Sequence, residues 1–190
     1  MTYHVTEFVD ALPNMRPGDV LAFGGNGTVS GVVKLVTKSV VSHVGVVLSQ
    51  DKMIDSTSIN GQCGVVVSQL ASRIPTYDGD VWWLPLSDRL HETMNKTAFF
   101  DFLMKQDHKK YDVLGAVEAG LCSLGVCIDI EDKSKFFCSE LVTAGLEAAG
   151  VNINERPAYV SPAQLCGLNI YSGNYHQLRG TSKMIETYKN

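Results

Sequence analysis

Four β-type runs follow one another between Ser42 and Leu86, and this clustering limits the fold more than any other feature of the 190-residue chain. The runs are S-H-V-G-V-V-L-S (Ser42 to Ser49), M-I-D-S-T (Met53 to Thr57), G-V-V-V-S-Q-L (Gly64 to Leu70) and D-V-W-W-L-P-L (Asp80 to Leu86). They are rich in β-branched and aromatic residues, the side chains that pack well on a pleated surface. Only a tight turn at Asp51-Lys52 separates the first two, so they pair antiparallel. An earlier turn at Pro17-Gly18, in R-P-G-D-V-L-A-F (Arg16 to Phe23), leads into a further short strand. Trp82 and Trp83 are neighbours in a strand, and alternation expects only one of them to face the core.

Helical patterns occupy the second half. One helix is expected from about Asp88 to Lys105, a second from Tyr111 to about Leu124, and a third from Cys138 to a stop at Gly150. Ser161-Pro162-Ala163-Gln164 opens a short helical turn, with proline at the favoured first position. Asn174 to Arg179 alternates as a returning strand would. Thr28 to Ser39 has apolar residues at helical spacing behind the glycine loop Gly24 to Gly27. That loop lacks the Gly-Lys-Ser/Thr ending of a phosphate loop, so it is read as a turn before a helix. Strands grouped first and helices later indicate an α+β fold and not alternating βαβ units. The length fits one domain, residues 1–190, with a proper core.

The function classes narrow by composition. The net charge is −4 and the pI about 5.7, with no Lys/Arg stripe, so nucleic acid is not expected as a partner. The first residues show no basic flank followed by an apolar run, and no apolar run reaches the roughly 18 residues of a membrane span. A cytoplasmic location is therefore expected. Five cysteines at irregular spacings (Cys63, Cys122, Cys127, Cys138 and Cys166) are expected to be free thiols in a reducing compartment. Cys122 and Cys127 lack the paired spacing of a zinc site, and no metal or other cofactor is expected.

K-F-F-C-S-E-L-V (Lys135 to Val142) sets Cys138 where an aromatic run meets an expected first helical turn. Unpaired N–H groups and the helix dipole favour a thiolate at such a place, and the same N–H groups suit an oxyanion. A buried apolar cysteine explains the position equally well. A nucleophilic cysteine needs a base. His4 lies near a loose terminus, His91 and His108 on or beyond a polar-faced helix, and His176 in the doubtful last strand. His43 opens the most apolar strand, which would hold its ring rigidly as a general base requires. The alternative is a hydrogen-bonded core histidine. Asp55, in the strand paired to that of His43, is either the acceptor that orients the imidazole or the cap of the Ser56-Thr57-Ser58 loop. Glu140 is read as a helix-dipole residue and not as chemistry.

Taken together, S-H-V-G-V-V-L, M-I-D-S-T and F-F-C-S-E-L-V, in that order, resemble the circularly permuted NlpC-type papain-like cysteine hydrolases of the YiiX/YebB-like branch. R-P-G-D-V-L-A-F, K-Y-D-V-L-G (Lys110 to Gly115) and S-P-A-Q-L extend the likeness over about Arg16 to Leu165. The resemblance implies an antiparallel sheet or half-barrel packed on a helical subdomain that carries the cysteine helix. It implies Cys138 as nucleophile, His43 as base and Asp55 in the polar third place, where relatives often carry glutamate. The shorter side chain must then sit closer to the ring or work through water. Tyr111 matches a tyrosine that lines the cysteine and helps bind the oxyanion; a half-buried tyrosine before an Asp112 cap is the other reading. The implied activity is hydrolysis of an amide (peptide or N-acyl) or ester bond, with a peptide or lipid-amide substrate. A lipid acyltransferase or lipase on the same triad, and a non-catalytic ligand- or partner-binding module, are the alternatives. An oligomer is compatible with all three.

Overall fold

A computed structural model of the chain describes residues 1–26, 39–59, 62–107, 134–153 and 160–185. The expected helices at Thr28 to Ser39 and Tyr111 to Leu124 fall wholly or largely outside these residues. So do Tyr111, Cys122, Cys127 and His108.

The strands are β1 (Thr2–Val5), β2 (Val20–Gly25), β3 (His43–Ser49), β4 (Lys52–Ile59), β5 (Gln62–Gln69), β6 (Gly79–Leu84) and β7 (Asn174–Arg179). They form one sheet in the order β1-β7-β6-β2-β3-β4-β5. The helices described are α1 (Phe8–Ala11), α2 (Leu70–Thr76), α3 (Asp88–Thr93), α4 (Lys96–Met104), α5 (Ser134–Ala148) and α6 (Pro162–Cys166). The fold is α+β, as expected. The sheet is mixed and not wholly antiparallel, because β1 runs parallel to β7 at one edge while the other pairings are antiparallel. His4 is therefore not on a loose end but pairs in register with His176.

Both faces of the sheet are covered. Val20, Ala22, Val44, Val46, Ile54 and Trp82 belong to one apolar cluster with Cys138, Val142 and Leu146 of α5. Leu21, Phe23, Val47, Met53 and Trp83 belong to a second cluster with Ala11, Leu70 and Ile74. Both tryptophans are thus buried, on opposite faces, and the expectation that one of them faces outward is corrected by the second layer. That layer is built by α1 and α2, which the strand and turn signals did not reveal. Leu70 and Ile74, one helical turn apart and fully buried, are the pattern that marks α2.

The long helix expected from Asp88 to Lys105 is two helices. Met94 leaves helical geometry at ψ 141°, and the Asn95 side chain then caps α4 by accepting from the Ala98 N–H at 3.0 Å. Helix α5 ends as the sequence indicates. Gly150 takes φ +85°, and the N–H groups of Gly150 and Val151 donate to the carbonyls of Glu147 and Leu146 at 2.8 and 3.0 Å. Ser161 and Gln164 cap each other reciprocally at the start of α6.

The turn before β2 is held by Asp19, which is fully buried. Its Oδ1 accepts from His91 Nε2 at 2.8 Å and the Leu86 N–H at 2.9 Å, and its Oδ2 from the Arg16 N–H and Trp83 Nε1, each at 2.9 Å. One carboxylate thus ties β2, β6 and α3 together. His91, expected to be solvated on a polar helix face, is instead buried against it. Asp19→Ala would leave four donors, three of them buried, without their acceptor. It should cost about 3–5 kcal/mol by denaturant unfolding, with Asp19→Asn losing less; a loss below about 1 kcal/mol would refute this role.

Candidate active site

His43 is the first residue of β3, and Asp55 lies within β4. The two strands pair antiparallel with Val46 opposite Ile54 and Val47 opposite Met53. Continued towards His43, that register sets Gly45 opposite Asp55 and makes His43 a diagonal neighbour of Asp55 on the same face. The contact is direct: His43 Nε2 lies 2.7 Å from Asp55 Oδ2. The shorter carboxylate therefore needs no water to reach the ring. Gly45 explains how it comes so close, since a Cβ there would lie 3.0 Å from the Asp55 Cβ and would collide with Met53 Cε. Asp55 is wholly buried in mid-strand, which excludes its reading as a loop cap.

A third charged group, absent from the sequence reading, completes this face. Arg73 of α2 places Nη2 3.1 Å from the same Asp55 oxygen. The guanidinium also lies 5.5 Å from the ring centres of both Phe23 and Tyr77. Burial opposes ionisation of Asp55, but the hydrogen bond and charge of His43, followed by the charge and hydrogen bond of Arg73, hold its carboxyl below the usual range. Ionised Asp55 is an acceptor only, so the proton between the two side chains sits on His43 Nε2.

Cys138 reaches this pair from the other layer. Helix α5 packs on β3 and β4. Leu141, Val142, Gly145, Leu146 and Ala149 are all buried, the face expected from their spacing. Burial alone would lower the His43 pKa. The charge of Cys138, the hydrogen bond to Asp55, the hydrogen bond with Cys138 and the charge of Asp55 together push it up to about 9. With Nε2 engaged by Asp55, Nδ1 is the nitrogen left for the sulfur. Cysteine, histidine and carboxylate are thus brought together, with the imidazole between the thiol and the carboxylate.

Two details differ from expectation. The helix begins at Ser134, so Cys138 is its fifth residue and not in its first turn. Its N–H lies beyond the unpaired donors of a helix N-terminus, which removes that N–H as an oxyanion ligand. Glu140 is likewise past the first turn; it is half-buried, and desolvation raises its pKa. Neither Cys138 nor Cys166 is in a disulfide; both are fully buried, and burial pushes the Cys166 thiol up. Two further polar pairs among the described residues, Asp19 hydrogen-bonded with His91 and Asp80 paired with Lys183, each at 2.8 Å, lie on other elements.

No model of a known protein family matches the chain. It is similar to the probable lipoprotein peptidase YaeF of Escherichia coli (strain K12), at 24% identity over 83% of this chain. The chain spans 65% of the length of that relative. The likeness is to a peptidase-type protein. Among the described residues, no helix is long and apolar enough to cross a membrane.

Two outcomes follow from this geometry. Because the His43 pKa in the fold, about 9, exceeds its ordinary value of about 6.5, the stability it adds is complete below about pH 6.5 and is lost as pH rises through about 9. The melting temperature of the wild type relative to His43→Gln should therefore fall by at least about 3 °C over that range; a constant difference would contradict the shift. Gly45→Ala should destabilise the protein by about 1–3 kcal/mol, read by urea unfolding, and an unchanged midpoint would show that the β3–β4 approach is not tight.

Proposed function

We propose that this protein is a cysteine hydrolase that cleaves an amide (peptide or N-acyl) or ester bond through an acyl-enzyme on Cys138. The observation that carries the reading is the His43 ring held between Cys138 and Asp55, with Nε2 2.7 Å from the carboxylate. A histidine oriented by a buried carboxylate and set against a thiol is the arrangement a sulfur nucleophile requires. Cys138 Sγ attacks the carbonyl carbon as its proton passes to His43 Nδ1. His43 then protonates the leaving amine or alcohol. A water, deprotonated by the same nitrogen, attacks the thioester and frees the acid and the thiol. Tyr111 is our candidate oxyanion donor, on the strength of the family resemblance. The positions of Cys138 after His43 and of the helix after the strands support a single permuted papain-like domain, of the NlpC type and YiiX-like branch. The peptidase-type relative favours a peptide or other amide substrate over a lipid ester. A thiol nucleophile must stay reduced to work, which suits the cytoplasm or another reducing setting.

The test is alkylation by iodoacetamide, followed site by site by mass spectrometry across pH in wild type and His43→Ala. Cys166, equally buried, is the internal control. Cys138 should react at least about tenfold faster than Cys166 and lose most of that advantage without His43. Equal rates at the two cysteines, or indifference to His43, would overturn the hydrolase reading in favour of a binding module.

A further inference from the structure

Arg73 sits behind the candidate triad and meets it at Asp55. Its Nη2 and His43 Nε2 converge on one atom, Asp55 Oδ2, at 3.1 and 2.7 Å. Asp55 Oδ1 is buried with no hydrogen-bond partner among the described residues. Among the described residues, the hydrogen bonds that compensate this carboxylate therefore run through a single oxygen and two donors. A wholly buried carboxyl left with one donor is driven towards its neutral form. Protonated on Oδ2, it would be a donor and a much weaker acceptor for Nε2–H, and the ring would lose most of the constraint that leaves Nδ1 for the sulfur.

The surroundings suit a permanent cation. Arginine stays protonated at any ordinary pH, and its planar group stacks on aromatic faces. Here the guanidinium is flanked by Phe23 and Tyr77, whose rings lie 4.9 Å apart, and Phe23 also meets the His43 ring at 5.6 Å. One aromatic wall thus seats both the cation and the imidazole. Charge also balances. Once the Cys138 proton has moved to His43, thiolate, imidazolium, carboxylate and guanidinium sum to zero in a buried site. Without Arg73 they would carry a net negative charge, which burial disfavours.

We propose that Arg73 is a positioning residue of this site: it keeps Asp55 an ionised acceptor, and Asp55 in turn holds His43 as the Nε2–H tautomer with Nδ1 turned to Cys138. The inference rests on the hydrolase reading for its consequence but not for its test. The measurement is the titration of the Asp55 carboxyl carbon by NMR in the full chain, for wild type, Arg73→Met and Arg73→Lys, with folding checked by circular dichroism. Arg73→Met should raise the Asp55 midpoint by at least about one pH unit, and Arg73→Lys, which restores the charge without the fork, should recover at least half of that shift. The acid limb of Cys138 alkylation should move up with it. In an Asp55→Asn background, where no charge needs holding, Arg73→Met should leave the alkylation profile unchanged. If Arg73→Met does not fold, the Lys variant decides: a midpoint displaced by a full unit despite the retained charge overturns the role. An Asp55 midpoint unmoved in folded Arg73→Met also overturns it, even if Cys138 remains reactive and His43-dependent. Conversely, a shifted Asp55 with an inert Cys138 keeps the Arg73 role and sinks the hydrolase reading.

Discussion

A carboxylate buried in the middle of a β-strand is the constraint around which this structure is arranged. Asp55 exposes no surface, so its charge must be met from within the protein. Three elements are committed to that purpose. Strand β3 brings His43 from the neighbouring strand, α2 brings Arg73 from the layer above, and Gly45 leaves out the side chain that would keep β3 and β4 apart. Any arrangement of the hairpin that separated these groups would strand a negative charge in an apolar interior. The same requirement that holds the hairpin in register therefore sets the imidazole where a thiol can use it.

The two-layered covering of the sheet is what makes such a site possible. A sheet with one solvated face would have screened Asp55 with water and left the His43 ring free to turn. Here α2 and the aromatic residues Phe23 and Tyr77 close one face, while α5 closes the other and carries Cys138. Cys138 and His43 come from different elements and meet at the start of β3. The buried Asp19 performs a separate task with the same physics. It satisfies four donors from the turn before β2, from β6 with the residue just beyond it, and from α3, and so fixes the central strands that β3 pairs against.

Much of this was legible before any fold was known. The runs from Ser42 to Leu86 pair as their composition and turns indicate, the antiparallel partnership of His43 and Asp55 follows from a tight turn, and the apolar stripe of α5 and its glycine stop appear where the spacing sets them. What escaped the sequence was consistently non-local. His91 reads as a solvated helix residue because its partner is 72 positions away in the chain. Residues Thr2–Val5 read as a loose end because the strand that holds them is β7, near the other terminus. The break at Met94 was the local exception: Asn95 is a recognisable cap, masked by the helical character on both sides of it.

Local periodicity, turn chemistry and residue type were enough by themselves to set the fold class and the β3–β4 hairpin and to single out Cys138, His43 and Asp55 as candidates, because each is written in a short stretch of chain. Tertiary structure alone decided that Trp82 and Trp83 are both buried, that Cys138 sits inside its helix and not at the tip, and that Arg73 stands behind Asp55. Those outcomes depend on which surfaces meet across the sheet, and burial turns a distant charge into a neighbour whose absence would be costly.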